Sequence, residues 1–225
     1  MLQYELNCAK IYKKTSVMLG GVILKLLEEK IMKDGAVLPG GILKVDGFLN
    51  HRIDVGFMNE AGREFSRLFA GLGINKILTV EASGIGIACI VAQYFDGADV
   101  LFAKKNQTKN LGENTYSATV SSFTHGRDYL IRVSKDYLNE NDRVLIVDDF
   151  LAVGHAAVGM IELCKQAGAT VCGVGICIEK AFQGGGKTLR EMGVNLHSLA
   201  IVQMGEDGSI SFIDDADAAK VLLCK

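Results

Sequence analysis

The sequence is poor in the features that divide a chain or send it to a special environment. It holds one proline in 225 residues, and no internal repeat, low-complexity tract or linker interrupts it. Nothing therefore marks a boundary for a second full domain, and residues 1–225 read as one domain with insertions. Charge of one sign is also missing: the formal net charge is −2, which removes the electrostatic argument for nucleic acid or an anionic membrane as partner. The apolar stretch from Val17 to Leu24 follows two lysines, as in a signal peptide. Lys25 interrupts it, no small-residue cleavage pattern follows, and it is too short to span a bilayer. The six cysteines (Cys8, Cys89, Cys164, Cys172, Cys177 and Cys224) form no C-x-x-C pair and lie near no histidine cluster. That excludes a zinc site, and they read as reduced small hydrophobes in a cytoplasmic protein. Small-molecule chemistry is the class that remains.

What is present is a large apolar content, 49% hydrophobic against 22% charged, enough for a sizeable core. Short apolar runs alternate with helical patterns, as in a sheet covered by helices on both faces. Phe57, Ala61, Phe65, Leu68, Phe69 and Leu72 predict a helix from about Asp54 to Gly73. "KILTVE", "DVLFAKK", "RVLIVDD" and "TVCGVGICIEK" predict strands, and "SGIGIACIVAQYF" a helix after the first of them. "TYSATVSSFT" and "RDYLIRVS" alternate with period two around His125-Gly126, a hairpin signal. With the polar loop "NQTKNLGEN" before it, this makes residues 106–137 a flexible loop and hairpin able to cover a site. Residues 1–23 form an extra N-terminal segment in which Met18, Val22, Leu26 and Leu27 suit one face of a packing helix.

In a parallel sheet ligands collect at the carboxyl ends of strands, and three strands end in chemistry-bearing residues. These are "EASG" at Glu81 to Gly84, "DDFLAVGHA" at Asp148 to Ala156, and "EKAF" at Glu179 to Phe182, all expected to face one crevice. Two adjacent acids repel each other and are poorly tolerated in a core. As acceptors, Asp148 and Asp149 can bind vicinal hydroxyls or lie close to a magnesium ion. The small residues Ala152, Val153, Gly154, His155 and Ala156 then open a helix that runs to about Ala167 and is closed by Gly168. Free amides at that helix start make an anion site. Acids for a sugar beside amides for a phosphate describe a ribose 5-phosphate site. An ordinary turn in which Asp149 caps the helix explains one acid and leaves the other unexplained.

"VLIVDDFLAVGHAA" resembles the phosphoribosyl diphosphate signature of type I phosphoribosyltransferases. The chain from about Leu24 onward is similar to the bacterial xanthine phosphoribosyltransferase family, through "LKVDGFLNHRID", "VEASGI", "VSSFT", "VDDFLA", "KQAGA" and "IEKAFQ" in that order. The resemblance implies an α/β fold with a mostly parallel central sheet flanked by helices, a small hood and a lid hairpin. It implies transfer of the phosphoribosyl group from 5-phosphoribosyl 1-diphosphate to xanthine, with Mg2+ bound mainly through the diphosphate, in a cytoplasmic homodimer. Asp148 and Asp149 would then hold the ribose hydroxyls and residues 152–156 the 5-phosphate. Ala82 and Ser83 would receive the pyrophosphate through backbone amides. Lys104 and Lys105, at a strand end beside the polar loop, are placed to meet its charge. Leu43, Asn50 and Lys180 would bind the base, and Phe182 could stack on it.

Two residues depart from the family pattern. Where related enzymes carry a threonine or asparagine this chain has Val153, which removes a side-chain donor to the phosphate but leaves the backbone amides, and where they carry a glycine or glutamine it has His155. Three competing readings differ in class. Gly84-Ile85-Gly86 imitates a dinucleotide loop, but Cys89 stands where a third glycine belongs and the paired acids stay unexplained. A non-catalytic purine regulator would need a DNA-reading module, for which the first 33 residues are short and lack a basic recognition helix. A hypoxanthine or guanine phosphoribosyltransferase differs only in the base.

Overall fold

The computed structural model describes residues 22–38, 41–105, 114–121, 128–205 and 208–214. In chain order the elements begin with α1 (Val22–Asp34), β1 (Ala36–Leu38), β2 (Ile42–Lys44), α2 (Val55–Leu68), β3 (Lys76–Val80), α3 (Ser83–Ala92) and β4 (Asp99–Ala103). They continue with β5 (Thr115–Ser121), β6 (Asp128–Ser134), β7 (Arg143–Leu151), α4 (His155–Ala167) and β8 (Thr170–Lys180). A 3-10 turn (Ala181–Gln183), α5 (Gly185–Glu191), β9 (Leu196–Met204) and β10 (Ile210–Ile213) complete the described chain.

Six strands form the central sheet in the order β10-β9-β8-β7-β3-β4. All neighbours are parallel except β10 and β9. Strand β7 shows why the apolar runs read so clearly: Leu145 and Val147 enter one core cluster while Val144 and Ile146 enter the other. A strand buried on both faces has no need of polar alternation. Helices α1, α2 and α3 serve the first cluster, and α4 with the β5–β6 hairpin serves the second. Full burial of each such Leu or Ile contributes about 1.5–3 kcal/mol.

Helix α2 starts where expected, with the Asp54 side chain accepting a hydrogen bond from Phe57 N at 3.1 Å. It stops at Leu68, earlier than Gly73. The hairpin is antiparallel with Thr115 opposite Ser134 and Ser121 opposite Asp128. Its turn at His125-Gly126 and most of the loop before it lie outside the described residues, as do Met18, Cys8 and Cys224. Strand β7 runs on through both aspartates to Leu151, so the acids sit inside the strand and not past its end. The face expected for α1 is corrected as well. Among its described side chains Leu27 and Ile31 are buried, whereas Leu26 is 40% exposed. Consecutive helical residues point 100° apart, and here Leu27 takes the core side while Leu26 falls on its flank.

The sheet order fixes where a site can form. From β3 the chain moves outward through α3 to β4, then returns by way of the hairpin to β7 on the other side of β3. Strand order therefore reverses between β3 and β7, and the crevice of an open parallel sheet opens at such a point, beyond the carboxyl ends.

Candidate active site

A cavity of about 270 Å³ lies at that switch point. Its walls include Glu81 and Ser83 after β3, Lys105 after β4, Tyr129 of β6, Asp148 and Asp149 of β7, and residues 150–157. Both aspartates are buried. Burial first, and the neighbouring Asp149 second, hold the Asp148 carboxyl well above the usual carboxylate range. Asp148 Oδ1 accepts only locally, from Asp149 N at 3.0 Å. Among the described residues no ion pair joins either acid to a cation.

The next turn brings donors to the same space. Gly154 adopts φ +95°, a left-handed conformation that glycine takes without penalty, and begins α4. No side chain caps this helix, so its first amides keep free donors beside the acids. The capping role considered for Asp149 is thereby excluded, because the cap position belongs to Gly154. Gly185 N donates to Ala152 O at 3.0 Å and anchors the loop from outside. Ala152, Val153, Gly154, His155 and Ala156 all line the cavity.

Across the cavity the start of α3 is likewise uncapped, with Ala82 at its cap position and a cis Glu81–Ala82 peptide. Gly84 permits the close approach there. A Cβ at this position would collide with Thr79 Oγ1 and lie 3.3 Å from Asp148 Oδ1. Glu81 Oε1 accepts from Lys105 N at 2.5 Å, tying the ends of β3 and β4 together.

The two lysines part company. Lys105 lines the cavity, whereas Lys104 bridges to Arg132 and lines a separate hollow between β4 and β6. Successive residues of an extended segment point to opposite faces, so only one of the pair faces the acids.

The residues considered for a base are spread more widely. Asn50, 99 positions earlier in the chain, donates from Nδ2 to Asp149 Oδ2 at 3.1 Å. Lys180 Nζ stands 4.7 Å from the centre of the Phe150 ring. Burial lowers its pKa and Asp149 opposes that shift. The Leu43 side chain belongs to the core, and Phe182 is 38% exposed on the 3-10 turn. None of these four residues lines the cavity: Asn50 reaches it only through Asp149, and Lys180 stands beside Phe150. Phe150 and Tyr129 were missed by sequence reasoning. Period-two alternation from Asp148 and along "RDYLIRVS" is the signal that could have pointed to them. Glu179 corrects the expectation that all of "EKAF" faces the crevice: it is fully buried and bonded to Arg190 and Ser198.

No family model matches the chain. Curated relatives do. A xanthine phosphoribosyltransferase 2 of Clostridium botulinum is 54% identical over 189 residues, covering 84% of this chain and 100% of that protein. The xanthine phosphoribosyltransferase of Ruminiclostridium cellulolyticum is 54% identical over 191 residues, covering 85% and 100%. Among solved structures, adenine phosphoribosyltransferase of Rhodothermus marinus superposes with TM-score 0.63 at 24% identity, over 80% of this chain and 98% of that one. The enzyme of Trypanosoma brucei gives 0.64 at 16% identity, over 92% and 95%. These structures share the fold, and the curated relatives match along their whole length. The chain belongs to the xanthine phosphoribosyltransferase family.

Proposed function

We propose that the protein acts in purine salvage, transferring the 5-phosphoribosyl group of 5-phosphoribosyl 1-diphosphate to xanthine to give xanthosine 5'-monophosphate and pyrophosphate. The observation that carries this reading is the pair of buried acids, joined by no ion pair among the described residues, facing two uncapped helix starts in one cavity, in a chain 54% identical to full-length xanthine phosphoribosyltransferases. Asp148 and Asp149 accept the ribose hydroxyls, and the amides opening α4 hold the 5-phosphate. As the bond from C1 of the ribose to the diphosphate breaks, a ring nitrogen of the base forms the new bond and the base loses a proton. Positive charge grows on the ribose beside the acids, while the leaving pyrophosphate meets the α3 amides and Lys105. Lys180, donors only, faces a carbonyl oxygen or the anionic form of the base.

Among the described residues no group of three or more His, Cys, Asp or Glu is arranged to hold a metal ion. The carboxylate oxygens of Asp148, Asp149 and Glu81 in the cavity suit a hydrated magnesium carried by the substrate's diphosphate, where it supplies positive charge to the leaving group. No helix among the described residues is long and apolar enough to cross a membrane. A cytoplasmic homodimer completes the reading, and sedimentation of the purified chain tests the dimer.

The decisive assay supplies phosphoribosyl diphosphate and magnesium with xanthine, guanine, hypoxanthine or adenine. Xanthosine monophosphate and equimolar pyrophosphate are expected, with xanthine used best. Binding of the diphosphate without nucleotide from any base would make the protein a regulator, and preference for hypoxanthine or guanine would reassign the base.

A further inference from the structure

The 5-phosphate loop lacks a side-chain donor at Val153, yet its neighbour His155 is engaged in an unusual way. His155 is the first residue of α4 and lines the cavity. Its Nδ1 lies 2.8 Å from the backbone carbonyl of Ser121, the last residue of β5. A carbonyl oxygen only accepts, so Nδ1 must carry the hydrogen. In the neutral ring Nε2 then holds a lone pair and has no hydrogen to donate to a phosphate oxygen. In the imidazolium Nε2 becomes a donor while Nδ1 keeps its bond to the hairpin.

We infer that His155 is a phosphate-binding residue that works only as the imidazolium, with Nδ1–H clasping Ser121 of the hairpin and Nε2–H donating to the 5-phosphate. This deepens the proposed function and rests on its placement of the 5-phosphate at residues 152–156. A charge-assisted bond takes over from the donor missing at Val153. The same ring joins the phosphate loop to the hairpin, so phosphate binding and hairpin position are coupled through one side chain. The charged and titratable groups around it are Glu81, Lys105, Tyr129, Asp148 and Asp149 on the cavity walls. Asp128, the cross-strand partner of Ser121, adds one on the hairpin, and Lys187 one on α5, whose first residue bonds to Ala152. Because the protonated ring binds better, affinity falls as rising pH removes the proton.

Calorimetric titration with ribose 5-phosphate between about pH 5 and 8, the interval in which imidazoles change charge, tests this on wild type, His155→Gln and His155→Ala. Comparing wild type with each variant at the same pH cancels the ligand's own ionisation. The wild type should bind about tenfold more tightly than His155→Ala at the acid end, the effect of one charged hydrogen bond. That ratio should shrink towards one at the alkaline end. His155→Gln, whose amide donates without a charge, should bind with an affinity that does not follow the imidazole proton. A ratio of wild type to His155→Ala that is constant with pH, or equal to one throughout, overturns the inference. Turnover of xanthine measured on the same samples separates the two levels. No product together with a pH-dependent ratio defeats the proposed reaction and keeps the phosphate contact. Normal product with a flat ratio does the reverse.

Discussion

Glu179 on β8 and the pair Asp148 and Asp149 on β7 are buried acids on adjacent strands, yet their surroundings differ at every point. Glu179 receives the Arg190 guanidinium on both oxygens, at 2.7 and 3.0 Å, and the Ser198 hydroxyl at 2.6 Å. Its charge is neutralised inside the fold. Asp148 and Asp149 receive one backbone amide and one side-chain amide, and no cation within bonding distance among the described residues. Their open acceptors face a cavity instead. Burial alone therefore does not tell a structural acid from a functional one. What decides is whether the fold itself satisfies the charge or leaves that to a ligand.

Breaking the structural acid should have the largest effect on stability. Glu179→Gln removes the carboxylate that the Arg190 side chain, 8% exposed, pairs with. A loss of about 3–5 kcal/mol is expected, lowering the melting temperature by roughly 10 °C or more in a chain of this size. A variant that melts within a degree of wild type would erase the distinction. Breaking a functional acid should act on the reaction. Asp149→Asn keeps an oxygen acceptor but removes the charge that the proposed function sets against the ribose, and turnover should fall about 100- to 1000-fold with the fold retained. Turnover within a few-fold of wild type would count against it.

Smaller effects sharpen the picture around the acids. Lys180→Ala should reduce use of xanthine about ten- to a hundred-fold more than use of hypoxanthine, which has one carbonyl fewer. An unchanged ratio of efficiencies would show that Lys180 does not select the base. Val153→Asn restores a neutral donor to the phosphate loop and should lower the Michaelis constant for phosphoribosyl diphosphate by about two- to tenfold. A constant that rises would mean that the side chain there disturbs the amides.

Strands β3, β4, β7 and β8, the hairpin and the helix start near Asp54 were readable because local physics alone sets them, whereas β1, β2, β9 and β10 were not read. A strand buried on both faces, such as β7, must be a run of apolar residues, and a helix closed at Gly168 with φ +72° needs its glycine. The site was legible only where one segment supplies several groups, as residues 148–156 do. Groups meeting across the fold were not. Nothing local links Asn50 to Asp149, or Arg190 and Ser198 to Glu179, so the neutralised acid looked as exposed to a ligand as the other two. The choice between Lys104 and Lys105 was within reach, since alternation of an extended segment allows one of them at the cavity.

One measurement tests most directly the claim that Asp148 and Asp149 are kept for a ligand: the melting temperature at neutral pH of wild type and Asp148→Asn, each with and without phosphoribosyl diphosphate and magnesium. Folding raises the Asp148 pKa, so this carboxyl takes stability from the fold as pH climbs from the ordinary carboxylate range towards the raised value. A neutral amide removes that burden and still accepts from Asp149 N. The variant should melt at or above the wild type without ligand. Ligand at about 100 times its dissociation constant should stabilise the wild type by about 2.7 kcal/mol, or roughly 5–10 °C, and the variant much less. A variant that melts well below wild type and keeps the full ligand shift would place Asp148 with Glu179 among the structural acids and contradict the account.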